Sequence, residues 1–320
     1  MESQTKAKLT EEQLVRLIGK HFGESTSVVH RTELTNGWFN TAYDLALSSG
    51  ENVILKVAPG AEVETLTCEK NIMKNEVEVL KLVRKEGAIP VPNVYAYDDS
   101  QDLIPHEYFL MEKVPGQPYN LIKESMSADE RERIEVDLGR YNRKINEIRG
   151  DSFGHFVASP EKLFASWGQV FAALMADLLT DGRRLGVQLP ASYEEIEEAV
   201  AAKLPFLDEV TEPRLVHWDL WNGNVFVHEG RIHAIIDWER ALWGDPLFEY
   251  YFGKMEPSEA FYRGYGNRFD SQHERERRKL YDLYFDLILV IECYSRKYEN
   301  PDHVRWVRKN LAAGWVQFQD

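Results

Sequence analysis

The sequence predicts an α+β protein of two lobes, a β-rich N-terminal lobe and a mainly helical C-terminal lobe. Short apolar runs broken by turn dipeptides fill much of the first hundred or so residues. Beyond Pro115-Gly116 the apolar residues recur at helical spacing instead. The chain has 320 residues, 43% of them apolar, enough for about two domains with a substantial core. The lobes are expected to span residues 1–112 and 113–320, joined by a short connector near Glu112–Gln117.

Taken in order, Thr10 ahead of Glu11, Leu14, Leu17 and Ile18 reads as a capped amphipathic helix. Strand-like pieces follow between Val28 and Val57. Asn36-Gly37 marks one turn, and Ser48-Ser49-Gly50 marks a hairpin between Tyr43–Leu47 and Val53–Val57. A helix from about Glu69 to Lys85 is stopped by Gly87, Pro90 and Pro92, and Val94–Tyr97 and Tyr108–Met111 read as strands. In the second lobe Ser127 and Glu130 form a capping-box pattern. Behind it Ile134, Leu138, Tyr141, Ile145 and Ile148 make a helical face. Further helices are expected over roughly Glu161–Leu185 and Tyr193–Leu207. Short strands flank a polar loop within Leu215–Val227, another covers Ile232–Ile236, and the chain from Pro257 onward is mainly helical.

Charge narrows the function classes. Lys and Arg number 38 against 53 Asp and Glu, a net charge of −15, which disfavours nucleic acid or an anionic membrane surface as partner. A cationic small substrate is compatible with this balance, and so is an ordinary solvated acidic surface. Cys68 and Cys293 are the only cysteines, too few for a structural zinc site and without disulfide-framework spacing. No apolar leader and no membrane-length apolar stretch is seen, so a cytoplasmic location is expected. Oligomeric state is left open.

The densest chemical signal is His217-Trp218-Asp219-Leu220-Trp221-Asn222-Gly223-Asn224, set between apolar strands. Thirteen residues after Asn224, the strand Ile235-Ile236 ends in Asp237-Trp238-Glu239. Phosphoryl transfer needs a carboxylate to orient a hydroxyl, and oxygen ligands for the Mg²⁺ that bridges the phosphates. Asp219 can be the first, with Asn224 and Asp237 as the metal ligands. Asp and Asn also favour turns on their own account, so the spaced set carries more than any member.

This pattern, His217-x-Asp219-x₄-Asn224 followed by Ile236-Asp237-Trp238, resembles the aminoglycoside phosphotransferase and choline kinase superfamily. These are small-molecule kinases with a protein-kinase-like fold. Trp221 stands where protein kinases carry a lysine, and Asp237-Trp238-Glu239 replaces their Asp-Phe-Gly. Both departures favour the small-molecule branch. The resemblance implies ATP or GTP as phosphate donor, Mg²⁺ as cofactor and a small hydroxylated acceptor. It also gives His217 a role in supporting the catalytic loop through hydrogen bonds.

Other segments extend the resemblance. Val53–Val57 is similar to the strand presenting the nucleotide-binding lysine, here Lys56. At 100° per residue, Ile72, Met73, Val79, Leu80 and Val83 fall within about 60° of Glu76, whereas Glu78 points about 200° away. Glu76 is therefore the inward carboxylate and the expected partner of Lys56. Asn36–Thr41 sits where such kinases fold a turn over the phosphates, so Gly37 and Asn40 become nucleotide-binding candidates, although an ordinary hairpin turn fits as well. Tyr108–Gly116 resembles the interlobe linker, whose backbone at Glu112 and Val114 would meet the adenine edge.

For the acceptor, seven acidic residues lie between Ala191 and Glu212, where the resembled family builds its acceptor site. They suit a cationic or sugar-like molecule, or form the solvated side of a helix. Trp218, Trp221, Trp238 and Trp243 could stack on an acceptor or fill the core. Asp245 matches a family residue that braces the catalytic loops, and Glu249 stands where relatives commonly have Asp. Two other readings stay open: a catalytically silent nucleotide-binding module, and a metal-dependent hydrolase using His217, Asp219, His228 and His233.

Overall fold

The computed structural model describes residues 7–35, 39–60, 62–157, 164–253, 257–298 and 300–320. Its N-terminal part is a five-stranded antiparallel sheet of β1 (Val28–Leu34), β2 (Thr41–Leu47), β3 (Asn52–Val57), β4 (Val94–Asp98) and β5 (Tyr108–Glu112). The strand order is β1-β2-β3-β5-β4. Alternation along β2 sends Thr41, Tyr43, Leu45 and Leu47 to one face. There they meet Leu14, Leu17 and Ile18 of helix α1 (Glu11–Phe22). Thr10 and Gln13 close a reciprocal capping box at the start of α1, an arrangement worth about 1 kcal/mol.

The opposite face carries Lys56 and packs toward helix α2 (Ile72–Glu86). This helix begins three residues later than its pattern suggests. Thr67–Glu69 forms a separate 3₁₀ turn, and Asn71 adopts the left-handed conformation at φ +60° before α2 starts. Gly87, at φ +69°, ends it as expected.

The C-terminal part is built on helices α3 (Tyr119–Ile122), α4 (Ala128–Glu147), α5 (Trp167–Arg184), α6 (Tyr193–Lys203), α7 (Glu259–Tyr265), α8 (Gln272–Ser295) and α9 (Pro301–Gln319). The expected helix over 193–207 changes to a 3₁₀ turn at Leu204, because Pro205 supplies no backbone donor. Two three-stranded sheets brace the polar loop. One joins β6 (Gln117–Pro118), β9 (Val225–His228) and β10 (Arg231–Ile235). The other joins β7 (Gly154–His155), β8 (Arg214–Val216) and β11 (Leu242–Gly244).

The connector is not a free loop, since Gln117 pairs with Val227. Gly116 lies at φ +102°, and a Cβ there would fall 2.4 Å from the Val227 carbonyl oxygen. Three of the four tryptophans singled out above pack inward. Trp218 and Trp238 are buried, and Trp243 stacks on Phe156; only Trp221, 37% exposed, presents a substantial face to solvent. Among the described residues no helix is long and apolar enough to cross a membrane.

Candidate active site

Lys56 Nζ, on β3, lies 2.7 and 2.9 Å from the two carboxylate oxygens of Glu76 and 2.8 Å from Asp237 Oδ1. Glu76 is fully buried on the inner face of α2, whereas Glu78 pairs with Lys81 on the exposed side. The neighbouring Asn75 does a second job from the same turn. Its Nδ2 donates to the carbonyls of Glu239 (3.1 Å) and Ala241 (2.8 Å), fixing the segment that follows Asp237. Sequence reasoning missed Asn75; an amide buried beside an inward glutamate on an apolar face was the available signal.

The polar loop is held from three directions. His217 is buried, accepts the Asp219 N–H at Nδ1 (3.3 Å), and donates from Nε2 to the Ile236 carbonyl (2.9 Å). Both ring nitrogens are thus engaged, and burial pushes this imidazole down to about 4, so it is neutral. Asn224 Nδ2 donates to the Asp219 carbonyl (2.8 Å) and carboxylate (3.2 Å), turning its Oδ1 away. Glu249 accepts the N–H groups of Trp218 and Leu220, each at 3.0 Å. The bracing expected of Asp245 therefore falls to Glu249. Asp245 instead receives Arg277 Nε and the Tyr281 hydroxyl and anchors α8.

Two backbone positions carry strain. Trp218 and Asp237 sit at φ +70° and +67°, a region costing non-glycine residues about 1–3 kcal/mol. Each lies beside a functional candidate or is one, and the hydrogen bonds just described hold the loops there.

Electrostatically the cluster is short of positive charge. Carboxylate oxygens of Glu76, Asp237 and Glu239 lie within 4.8 Å of one another around one ammonium. Burial works against the charge on Lys56, yet Asp237, Glu76 and Glu239 together hold it well above its ordinary value. Burial pushes Glu76 up to about 7 despite Lys56. Burial and the charge of Asp237 push Asp219 up to about 7 and Glu239 up to about 8. Asp237 itself stays low, because Lys56 overcomes its burial. A hard divalent cation fits this donor set. Asp237 is partly open to solvent, and among the described residues Asn224 Oδ1 makes no hydrogen bond.

Gly37 lies outside the described residues. Asn40 is buried, its Nδ2 donating to Glu239 Oε2 at 3.0 Å. The Glu112 N–H is engaged by the Asn93 carbonyl, so a ligand contact there would use the Glu112 carbonyl; Val114 is half-buried in the connector. The acidic run does not converge on Asp219. Glu194 and Glu197 hold Arg183, Glu195 caps α6 through Ser192, Glu209 holds His273 and Arg277, and Glu212 holds Arg149 and Arg214. The four residues of a hydrolase do not form a ligand set either. His217 has no free nitrogen, while His228 and His233 lie exposed on β9 and β10 with rings 5.7 Å apart.

A two-lobed kinase-like fold with a lysine–glutamate pair facing an aspartate–asparagine loop defines a phosphotransferase. The chain belongs to the phosphotransferase enzyme family, whose model matches residues 30–281. It is 25% identical over 229 residues to acyl-CoA dehydrogenase family member 11 of Rattus norvegicus, covering 69% of this chain and 27% of that protein. The chain thus spans about a quarter of the rat protein's length. A Pasteurella multocida protein named "Probable ketoamine kinase" is 24% identical over 285 residues, covering 84% of this chain and 89% of its own. In fold the chain is similar to aminoglycoside phosphotransferase APH(4)-Ia in ternary complex with AMP-PNP and hygromycin B. The TM-score is 0.65 at 18% identity, over 96% of this chain and 99% of that one. It is also similar to APH(2″)-IIa in a ternary complex with streptomycin and ATP, with a TM-score of 0.64 at 15% identity over 96% and 97%.

Proposed function

We propose that this protein is an ATP-dependent kinase that phosphorylates a hydroxyl group of a small molecule. The observation that carries this reading is the convergence of Lys56, Glu76 and Asp237 within hydrogen-bond distance, facing the loop of Asp219 and Asn224. Residues 1–112 would then bind nucleotide, and residues 113–320 would supply catalysis and the acceptor site. ATP is preferred over GTP because the similar structures are described with ATP and AMP-PNP. A cytoplasmic location belongs to the same proposal.

Lys56, oriented by Glu76, would pair with phosphate oxygens of the nucleotide, and the linker backbone at Glu112 and Val114 would receive the adenine. Asn224 and Asp237 would hold Mg²⁺, which supplies charge neutralisation across the phosphates. Asp219 would orient the acceptor hydroxyl. As the acceptor oxygen bonds to the γ-phosphorus, the bond to the β-bridging oxygen breaks, ADP leaves, and the hydroxyl proton passes to Asp219. Since the transition state is loose, alignment by Asp219 contributes more than prior deprotonation. His217 takes no proton in this scheme; it fixes the Asp219 amide.

A cationic or sugar-like acceptor keeps support from a different place than the acidic run. Tyr250 lies in the field of Asp219 and of Asp286 of α8, its ring stacks on Phe285 at 4.2 Å between centroids, and Asp282 beside them is held by Arg278. Carboxylates and aromatic faces of this kind suit an amine-bearing acceptor. ADP formation with Mg²⁺ should be measured against aminoglycosides, macrolides, choline, fructosamines and methylthioribose. Acceptor-dependent ADP formation that disappears in Asp219→Asn supports the proposal. Nucleotide binding without transfer to any acceptor would favour a silent binding module.

A further inference from the structure

The molecule contains a second buried ionic assembly that the proposed chemistry does not use. Arg296, one residue beyond α8, is 5% exposed. Its Nε donates to Glu69 at 3.0 Å, its Nη2 reaches Glu69 and also Glu292 at 3.4 Å, and its Nη1 donates to the Tyr298 hydroxyl at 3.1 Å. Glu292 in turn holds Arg240, whose guanidinium lies 4.9 Å from the ring centre of Trp218, next to Asp219. The other face of Arg296 covers Phe39, with the guanidinium carbon 5.2 Å from the ring centre.

Phe39 is buried and immediately precedes Asn40, which the Glu239 carboxylate grips. Two successive residues just ahead of β2 are therefore tied to the C-terminal part, one by stacking and one by a hydrogen bond. Glu69 lies in the 3₁₀ turn leading into α2, the helix that carries Glu76. A buried Arg–Glu assembly is a costly way to gain stability, since an apolar cluster of equal volume serves as well, so its return is sought in geometry. Arginine suits such a task because its planar fork binds carboxylates in its plane and leaves both faces free to stack. Arg296 itself lies beyond residues 30–281, the extent of the family match, whereas its partners Phe39 and Glu69 lie within it.

We infer that Arg296 is a positioning residue for nucleotide binding: stacked on Phe39 and paired with Glu69, it sets Phe39 and Asn40, just ahead of β2, and the start of α2 against the C-terminal part. The inference rests on the kinase reading above. The Phe39 ring is its contact with the segment ahead of β2, so Phe39→Leu, which keeps an apolar side chain and removes the aromatic face, is the milder probe. Arg296→Lys keeps the charge and removes the fork.

ATP binding is measured by calorimetry with Mg²⁺, alongside KM for ATP, KM for the acceptor and melting temperature. Phe39→Leu and Arg296→Lys should each weaken ATP binding about three- to tenfold and leave the acceptor KM unchanged. The double variant should be no weaker than the worse single one, because the two side chains act through one contact. Unchanged ATP affinity in Phe39→Leu overturns the inference, as do multiplying effects in the double variant or an equal rise in the acceptor KM. If Arg296→Lys does not fold, Phe39→Leu alone decides. A wild-type chain that binds no nucleotide overturns the kinase reading and this inference together, whereas wild-type binding with an indifferent Phe39→Leu overturns only the inference.

Discussion

Around Lys56, three carboxylates share one ammonium, and Asp219 lies in the field of Asp237. In the chain Glu69–Arg296–Glu292–Arg240, two carboxylates alternate with two guanidinium groups. Both assemblies are buried, but they answer burial differently. Burial drives Glu76, Asp219 and Glu239 upward at the first, whereas at the second Arg240 and Arg296 overcome burial and hold Glu292 low. The balanced assembly is electrostatically complete and serves position. On the proposed function, the unbalanced one would take up positive charge from outside.

The largest test of this contrast removes the carboxylate nearest the proposed chemistry. Asp219→Asn should lower kcat by about 10²–10⁴-fold, the usual worth of a positioned general base, with ATP affinity nearly unchanged in a direct titration. In the balanced chain, Arg240→Met should cost stability instead. It leaves Glu292 with Arg296 as its remaining guanidinium partner, and denaturant unfolding should show a loss of about 3–5 kcal/mol. A loss below about 1 kcal/mol would mean that the chain is not a closed unit.

Ligand addition probes the same difference from the other side. Mg²⁺ with a non-hydrolysable ATP analogue at a hundredfold excess over Kd should stabilise the wild-type protein by about 2.7 kcal/mol, with chelation reversing the metal-dependent share. No such gain in a protein shown to be folded would remove the claim that the Lys56 cluster awaits a cation. The smallest effect is expected at the surface. Arg183→Gln should leave the melting temperature and acceptor KM within error, because its partners Glu194 and Glu197 are solvated. A large change in acceptor KM would return the acidic run to the acceptor site.

What could be read from the sequence was what regular geometry fixes. The 100° step of a helix singled out Glu76 over Glu78, and short strands hold the loop of Asp219 and Asn224 at both ends. The acidic run left two readings open because its partners come from elsewhere: Arg183 from α5, His273 and Arg277 from α8. One signal was available there, since Ser192 and Glu195 repeat the capping pattern seen at Ser127 and Glu130. The contacts of Asn40 with Glu239 and of Arg296 with Glu69 join residues about two hundred positions apart. No local periodicity encodes them; they follow only once both parts have packed.

Gly116 shows how little separates the two parts mechanically. Nothing larger than hydrogen fits between this residue and the Val227 carbonyl, so the connector lies flat on β9 like a seam. A methyl group at position 116 would act as a wedge. Its effect would surface far from where it was placed, as a changed angle between Lys56 on one side of the seam and Asp237 on the other. An alanine there would be a mutation of the active site without touching it.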